Sequence, residues 1–480
     1  MTARLKSLFG AQDMTVGNPL AVMLKYSIPL LIGNIAQLLY NTVNAVIVGN
    51  LIGRNALAAV GASTPVMNLF FTFYMTVGTG ISIVVAQYYG AKDMERLSSS
   101  IGTSIILAFI STFSITLIGI PASGALLRAI SVDESIFAWS HTYLMIMFGG
   151  AVGLGFYNVL SGIIRGLGDS VFPLIVLVIT SLLNIVLVYF FVGVLGFGVA
   201  GAATATVTAQ TVSAVICLIK ILRMRGIITL NRGMLRPRAE MIKNILRIGL
   251  PSGIQQVILN TSETFIMSLI NSVAVLDSTG NASYTIFIAA ATTFTQLNAM
   301  AQLPSQAFSF GASTFAGQNI GAGNEDRVKR GFLYICMTSF AVSLIIFTVV
   351  YIWGGSVIRM FIDMGDPEAE KIIYWGVRIQ RIMVWCFICN ALIQAPSGIL
   401  RGLGNTMPVM WITFICTVIL RMPMAYLWVR FGGSAASDGG NFSGIYWSMV
   451  ICTFIAGAMS MSYYLSGRWK RRLVVRLDAK

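Results

Sequence analysis

The sequence predicts an all-α membrane protein, with twelve transmembrane helices in two six-helix lobes related by a pseudo-twofold axis along the membrane normal. Three observations lead there. Of 480 residues, 56% are hydrophobic and only 10% charged, whereas a soluble domain carries about a quarter charged residues. The apolar residues come in long unbroken runs, which favour helices over an alternating barrel pattern. Finally, the chain is written twice. Ser161-Gly-Ile-Ile-Arg165-Gly-Leu-Gly168-Asp169 recurs as Ser397-Gly-Ile-Leu-Arg401-Gly-Leu-Gly404-Asn405, 236 positions on. Ala86-Gln87-Tyr-Tyr-Gly90 recurs as Gly317-Gln318-Asn-Ile-Gly321, 231 positions on, and Pro29 pairs with Pro251 at 222. Six spans per copy return the chain to its starting side, so both copies keep the same orientation.

The spans fall at 20–49, 56–88, 97–120, 136–164, 172–193, 199–223, 244–272, 280–316, 328–353, 371–400, 406–430 and 443–466. Each meets the about 20 residues a bilayer helix needs. They divide the chain into a first lobe (1–223), a basic connector (224–243), a second lobe (244–466) and a basic tail (467–480). Pro173 and Pro408 open spans five and eleven, where a missing N–H costs little. Pro65, Pro304, Pro396 and Pro423 lie inside spans and are expected to kink them. The glycines after Arg165 and Arg401 let the helices end in a left-handed residue.

Net charge is +15, and its distribution argues against nucleic acid as the partner. Assigned to alternating sides, 24 of the 32 lysines and arginines fall on one side. The positive-inside rule makes that side, and with it both termini, cytoplasmic, facing anionic lipid. Short loops suit a bacterial plasma membrane. All six cysteines fall within spans, where small packing residues are expected. The polar start shows no cleavage site after a short apolar core, so no signal peptide is expected. The Gly-x-Gly fragments lack the lysine-serine of a phosphate loop. With no ATP site, transport would run on an ion or solute gradient, or passively. No nucleophile–base or metal-ligand constellation points to an enzyme, and no cofactor is expected beyond a coupling Na⁺ or H⁺.

Polar residues inside the spans mark the candidate site. In span one, Asn34, Gln37, Asn41 and Asn44 follow steps of three and four, so all four share one helical stripe. Lipid offers amides no partners, so they must face protein or water. They form either inter-helix hydrogen bonds or a cavity wall. Span seven repeats the pattern as Gln256, Asn260 and Glu263. Glu263 is the one acid well inside a span, where a carboxylate is a functional candidate by default. It could carry a proton, hold Na⁺ with amide oxygens, or form a structural ion pair. Arg421 and Arg381 stand at a similar depth, about 13–15 Å below the outer surface, and a shared polar cluster with at least one of them is expected. Asn390 lies deeper and is a further candidate ligand. Asn68 and Gln296 on spans two and eight extend the cavity wall.

With these residues in view, the chain resembles the multidrug and toxic compound extrusion (MATE) family, bacterial branch. The resemblance rests on Met14-Thr-Val-Gly-Asn-Pro19, Leu39-Tyr40-Asn41-Thr-Val-Asn44-Ala-Val-Ile-Val-Gly49, Ala56-Leu-Ala-Ala-Val-Gly61, Gly162-Ile-Ile-Arg165-Gly, Asn184-Ile-Val-Leu and Arg421-Met-Pro-Met-Ala-Tyr426. It implies a central cleft and export of organic cations by Na⁺ or H⁺ antiport. Many relatives carry acids where this chain has Asn44, Val188 and Asn390. Among the family's acids only the one matching Glu263 remains, so coupling would fall on Glu263, with Gln256, Asn260 and Asn390 as its shell. The expected partners are small organic substrates and membrane lipids, with no nucleic acid, and the chain is expected to act as a monomer. A lipid-linked precursor flippase of the same superfamily is the alternative. It would need a basic cavity for phosphate, which Arg378, Arg381 and Arg421 could supply. A receptor or passive channel is a more distant third.

Overall fold

The computed structural model describes residues 11–224, 236–273, 275–276, 282–362, 364–431 and 442–472. It is helical almost throughout. The helices are α1 (Pro19–Leu51), α2 (Arg54–Gly90), α3 (Met94–Ala129), α4 (Glu134–Gly149), α5 (Ala151–Gly166), α6 (Val171–Val188), α7 (Gly198–Arg223), α8 (Ala239–Asn271), α9 (Thr285–Gly321), α10 (Glu325–Arg359), α11 (Ala369–Gly402), α12 (Thr406–Phe414), α13 (Met422–Phe431) and α14 (Phe442–Leu465). The sole strands described, Val275–Leu276 and Ala282–Ser283, form a two-residue antiparallel pair.

These helices make twelve membrane-length segments in the predicted order. Span four is α4 and α5, bent by 50°. Span eleven is α12 and α13 joined by a wider π turn, Ile415–Arg421, and span five ends in a second π turn, Tyr189–Val194. Among the described residues nine helices are long and apolar enough to cross a bilayer unaided, ten with the bent pair. The two that fall short are α8 and α9, although they run to 33 and 37 residues. Gln255, Gln256, Asn260 and Glu263 on α8, and the glutamines and asparagines of α9, lower their hydropathy. Large apolar side chains such as Leu117, Ile118, Leu182, Val186 and Ile345 lie exposed, as expected where lipid supplies the facing layer.

Side chains and glycines set the helix ends. Asn18 accepts a hydrogen bond from the Leu20 N–H ahead of Pro19, Asp93 caps α3 through Arg96, and Asp133 caps α4 through Ser135. The two Arg-Gly-Leu-Gly segments close α5 and α11 in the same way. Gly168 and Gly404 adopt left-handed φ of +90° and +77°. The next residue reaches back five positions, Asp169 N–H to Ile164 O at 3.1 Å and Asn405 N–H to Leu400 O at 2.8 Å. This is the Schellman closure the glycines allow. Pro65, Pro304 and Pro396 lie inside helices that continue past them. A sharp bend falls between Gly149 and Ala151, where the Val207 side chain fills the space a Cβ on Gly150 would take.

Two compact units emerge. Of the described residues, one comprises those up to Gly253 together with Gly317–Glu325; the other comprises Ile254–Ala316 and Asp326 to Arg472. The first has a core built on Ile81, Val84, Ile101, Leu160 and Ile163, joined by Ile245 and Ile248 of α8. Glycine contacts bring α8 close: a Cβ on Gly249 would lie 2.8 Å from the Thr76 carbonyl oxygen. The second has a core of Phe287, Phe294, Trp375, Ile379, Phe387 and Tyr446.

Within the first unit the repeated Gln-x-x-Gly segments meet each other. A methyl on Gly90 would overlap the Gln318 carbonyl oxygen, and one on Gly321 would overlap that of Gln87. The contact is reciprocal, as a duplicated motif crossing its own copy requires. The N-terminal segment stitches it: Met14 N–H donates to Gln318 Oε1 at 2.8 Å, Asn319 Nδ2 donates to Met14 O at 3.2 Å, and Gln318 Nε2 donates to Gly166 O at 3.2 Å. Met14, Gln318 and Asn319 are fully buried.

Candidate functional site

The second unit carries the charge. On α8, Gln256, Asn260 and Glu263 lie on one open face, and Gln256 Nε2 donates to Asn260 Oδ1 at 2.9 Å. Among the described residues Glu263 has no hydrogen bond and no ion pair within 4 Å, yet the Arg421 charge acts on it. Arg421 ends the π turn of span eleven. Pro423, two residues on, lacks an N–H and crowds the carbonyl four positions before it, which accounts for the widened turn. The Nε and Nη2 of Arg421 are sealed from solvent with no acceptor, and Cys386 and Cys452 stand near enough to sense its charge. The pair is therefore electrostatic, without direct contact. Arg381 is exposed and is not among the charges acting on Glu263.

Asn390 pairs with α9 rather than with the carboxylate, its Nδ2 lying 3.5 Å from Gln302 Oε1. Gln296 is exposed. The amide most deeply placed on α8 is Gln255, which donates to Thr413 Oγ1 of α12 at 3.0 Å. Sequence reasoning singled out its neighbour Gln256. Adjacent residues on a helix point about 100° apart, and only packing shows which one meets α12.

The first unit answers with neutral groups. Asn34, Gln37 and Asn44 are half-buried, while Asn41 and Asn68 are exposed. Asn44 Oδ1 is sealed from solvent without a partner, so at least part of the stripe faces protein. The network that does form lies beside it. The Tyr40 hydroxyl lies near Thr206, and Asn184 Nδ2 lies 3.5 Å from the Thr206 hydroxyl. Asn184 is buried. Val188, one turn further along α6, packs with Val48, Ala56, Val192 and Val199. Tyr40 and Asn184 entered the sequence argument only as parts of family motifs. Their link through Thr206 of α7 has no signal in the spacing.

A mostly helical membrane chain of two similar halves, with polar groups held inside its spans, defines the class of multi-pass transporters. The chain belongs to the MatE family, whose model matches residues 29–190 and again 251–427. The two matches begin at Pro29 and Pro251, the pair that the internal repeat sets 222 positions apart. It is 28% identical to the probable multidrug resistance protein YpnP of Bacillus subtilis, over 96% of this chain and 98% of that one. It is 26% identical to the probable multidrug resistance protein NorM of Thermotoga maritima, over 94% of each. Its fold matches that of a MOP superfamily transporter from Pyrococcus furiosus with a TM-score of 0.86 at 24% identity, covering 96% of this chain and 99% of the other.

Proposed function

We propose that this chain is a secondary active exporter that exchanges Na⁺ or H⁺ for organic, amphipathic, cationic compounds by alternating access. Its place is the bacterial plasma membrane, with both termini in the cytoplasm. The multidrug names of YpnP and NorM support the substrate class. The observation that carries the coupling role is Glu263. Every other acid described lies in a connection or in the first turn of a helix, whereas Glu263 lies eight residues from the end of α8. An ionisable group at the centre of a membrane helix costs about 3 kcal/mol on insertion scales, a cost that packing alone does not repay.

Glu263 binds the coupling ion, and a cationic substrate competes for the same negative charge. Arg421 supplies a fixed positive charge too far away to neutralise the carboxylate by contact, so the carboxylate stays available. Asn260 offers a neutral oxygen for Na⁺ on the same face, and Gln256 orients that amide by its hydrogen bond. The test is thermal stability of the purified protein in a Na⁺ series and in a pH series, for wild type and Glu263→Gln. Loss of one response on mutation names the ion. Retention of both would remove Glu263 from the coupling site.

A further inference from the structure

The two copies of the Ser-Gly-Ile-x-Arg-Gly-Leu-Gly segment have the same backbone closure but different side-chain bonding. In the first, the Arg165 side chain folds back one turn: Nε donates to Ser161 O and Nη2 to Ser161 Oγ, both at 3.3 Å. In the second, Arg401 makes neither bond. Its Nε is sealed from solvent with no acceptor, and the Ser397 hydroxyl, fully buried, has no partner either. No acid among the described residues pairs with Arg401, and no neighbouring charge acts on it. An arginine near the end of a span normally snorkels into water, which would leave Nε wet. A buried donor left unsatisfied costs about 1–3 kcal/mol, more when charged.

We propose that Arg401 holds a phosphate oxyanion at the end of α11, supplied by an anionic lipid headgroup or by free phosphate. The planar guanidinium fork matches a phosphate in bidentate fashion. Arg401 is only half-buried, so the rest of the fork remains reachable. Its place, one residue before the helix end, is headgroup level for a spanning helix. The surroundings reinforce the choice of an anion. Four residues on, Asn405 Nδ2 donates to the Trp469 carbonyl at 3.1 Å. That bond pins the basic turn Arg468–Arg472, with Trp469 buried beneath it. Arg165, satisfied by its own helix, is the internal control.

The test uses the purified full-length protein in detergent. Its melting temperature is measured with added phosphatidylglycerol, phosphatidylcholine or inorganic phosphate, for wild type, Arg401→Gln and Arg165→Gln. Wild type and Arg165→Gln should gain several degrees from phosphatidylglycerol over phosphatidylcholine, and Arg401→Gln should lose at least half of that gain. A gain from inorganic phosphate of the same size names the free ion as the source; none names the lipid. Equal gains in wild type and Arg401→Gln, or equal losses in both variants, would overturn the assignment. Should Arg401→Gln not fold, Arg401→Lys keeps the charge without the fork and should show a reduced gain. An undiminished gain there would count against the bidentate site.

Discussion

Spans one and seven hold matching places in the two copies, and they have diverged in one respect. Both carry an amide stripe, but span one keeps it neutral (Asn34, Gln37, Asn41, Asn44) while span seven ends its stripe in Glu263. The helices facing them follow suit. Beside span one, Asn184 of span five meets the Thr206 hydroxyl of span six, with Tyr40 of span one near the same hydroxyl. Span eleven brings Arg421 toward Glu263 on a π turn. A duplicated scaffold can thus assign charge chemistry to one half and leave the other as a neutral polar wall. The neutral half still needs its hydrogen bonds, because unsatisfied amides are costly in either setting.

The largest effect should come from removing the acid. Glu263→Gln is expected to lower gradient-driven export of a fluorescent cation at least 10-fold in vesicles, while Asn41→Ala on the matching stripe lowers it less than 3-fold. Comparable losses in both would erase the asymmetry. Next comes the crossing where the repeat meets itself. Gly90→Val puts a branched side chain against the Gln318 backbone, and there is no flexible neighbour to yield. It should sharply reduce the yield of folded protein, and Gly321→Val should do the same. A variant with wild-type yield and melting temperature would mean the contact opens readily.

Smaller effects sharpen the contrast. Arg421→Gln removes a positive charge facing Glu263, and at an effective dielectric near 20 that interaction is worth a few kcal/mol at most. Binding of a permanently charged cation, measured by fluorescence titration, should tighten roughly 3- to 10-fold. Weaker binding would mean that Arg421 positions the site rather than repelling the substrate. The smallest effect concerns Asp169, whose counterpart in the second copy is Asn405. Burial pushes the Asp169 carboxyl above the usual carboxylate range, against the hydrogen bond from Phe172 N–H and the Lys220 charge. A raised folded-state value means the protonated form is favoured, so its stabilising contribution fades as pH rises through that value. Asp169→Asn keeps an oxygen for the Phe172 N–H. It should therefore raise the melting temperature by about 1–2 °C at pH 8 and by less at pH 4. A variant less stable at pH 8 would show that the Lys220 pair outweighs the cost of burial.

Much of the fold was legible because hydropathy and repetition act over long windows. The twelve spans, the left-handed closures at Gly168 and Gly404, and the pairing of Gln87 with Gln318 as repeats all follow from the residues. The break at Gly150 was read as part of one span, since the apolar run continues past it; the Gly149-Gly150 pair was its one local signal, and the close approach of Val207, over fifty positions away, had none. Pro423 signalled a disturbance in span eleven, though not that it would be a π turn, and Tyr189–Val194 contains no proline. At the site, the stripe on α8 and the approach of Arg421 could be read from spacing and depth. The partners could not: Asn390 with Gln302, Gln255 with Thr413 and Asn184 with Thr206 depend on how helices rotate against each other. That rotation is fixed by packing summed over many residues.

The most direct measurement follows ion and substrate together in sealed vesicles: counter-flux of H⁺ or ²²Na⁺ during export of a fluorescent cation, in wild type and Glu263→Gln. Substrate movement in wild type should be tied to a fixed number of ions, and the variant should lose both fluxes together. Ion-coupled export persisting in Glu263→Gln would contradict the central role given to that carboxylate.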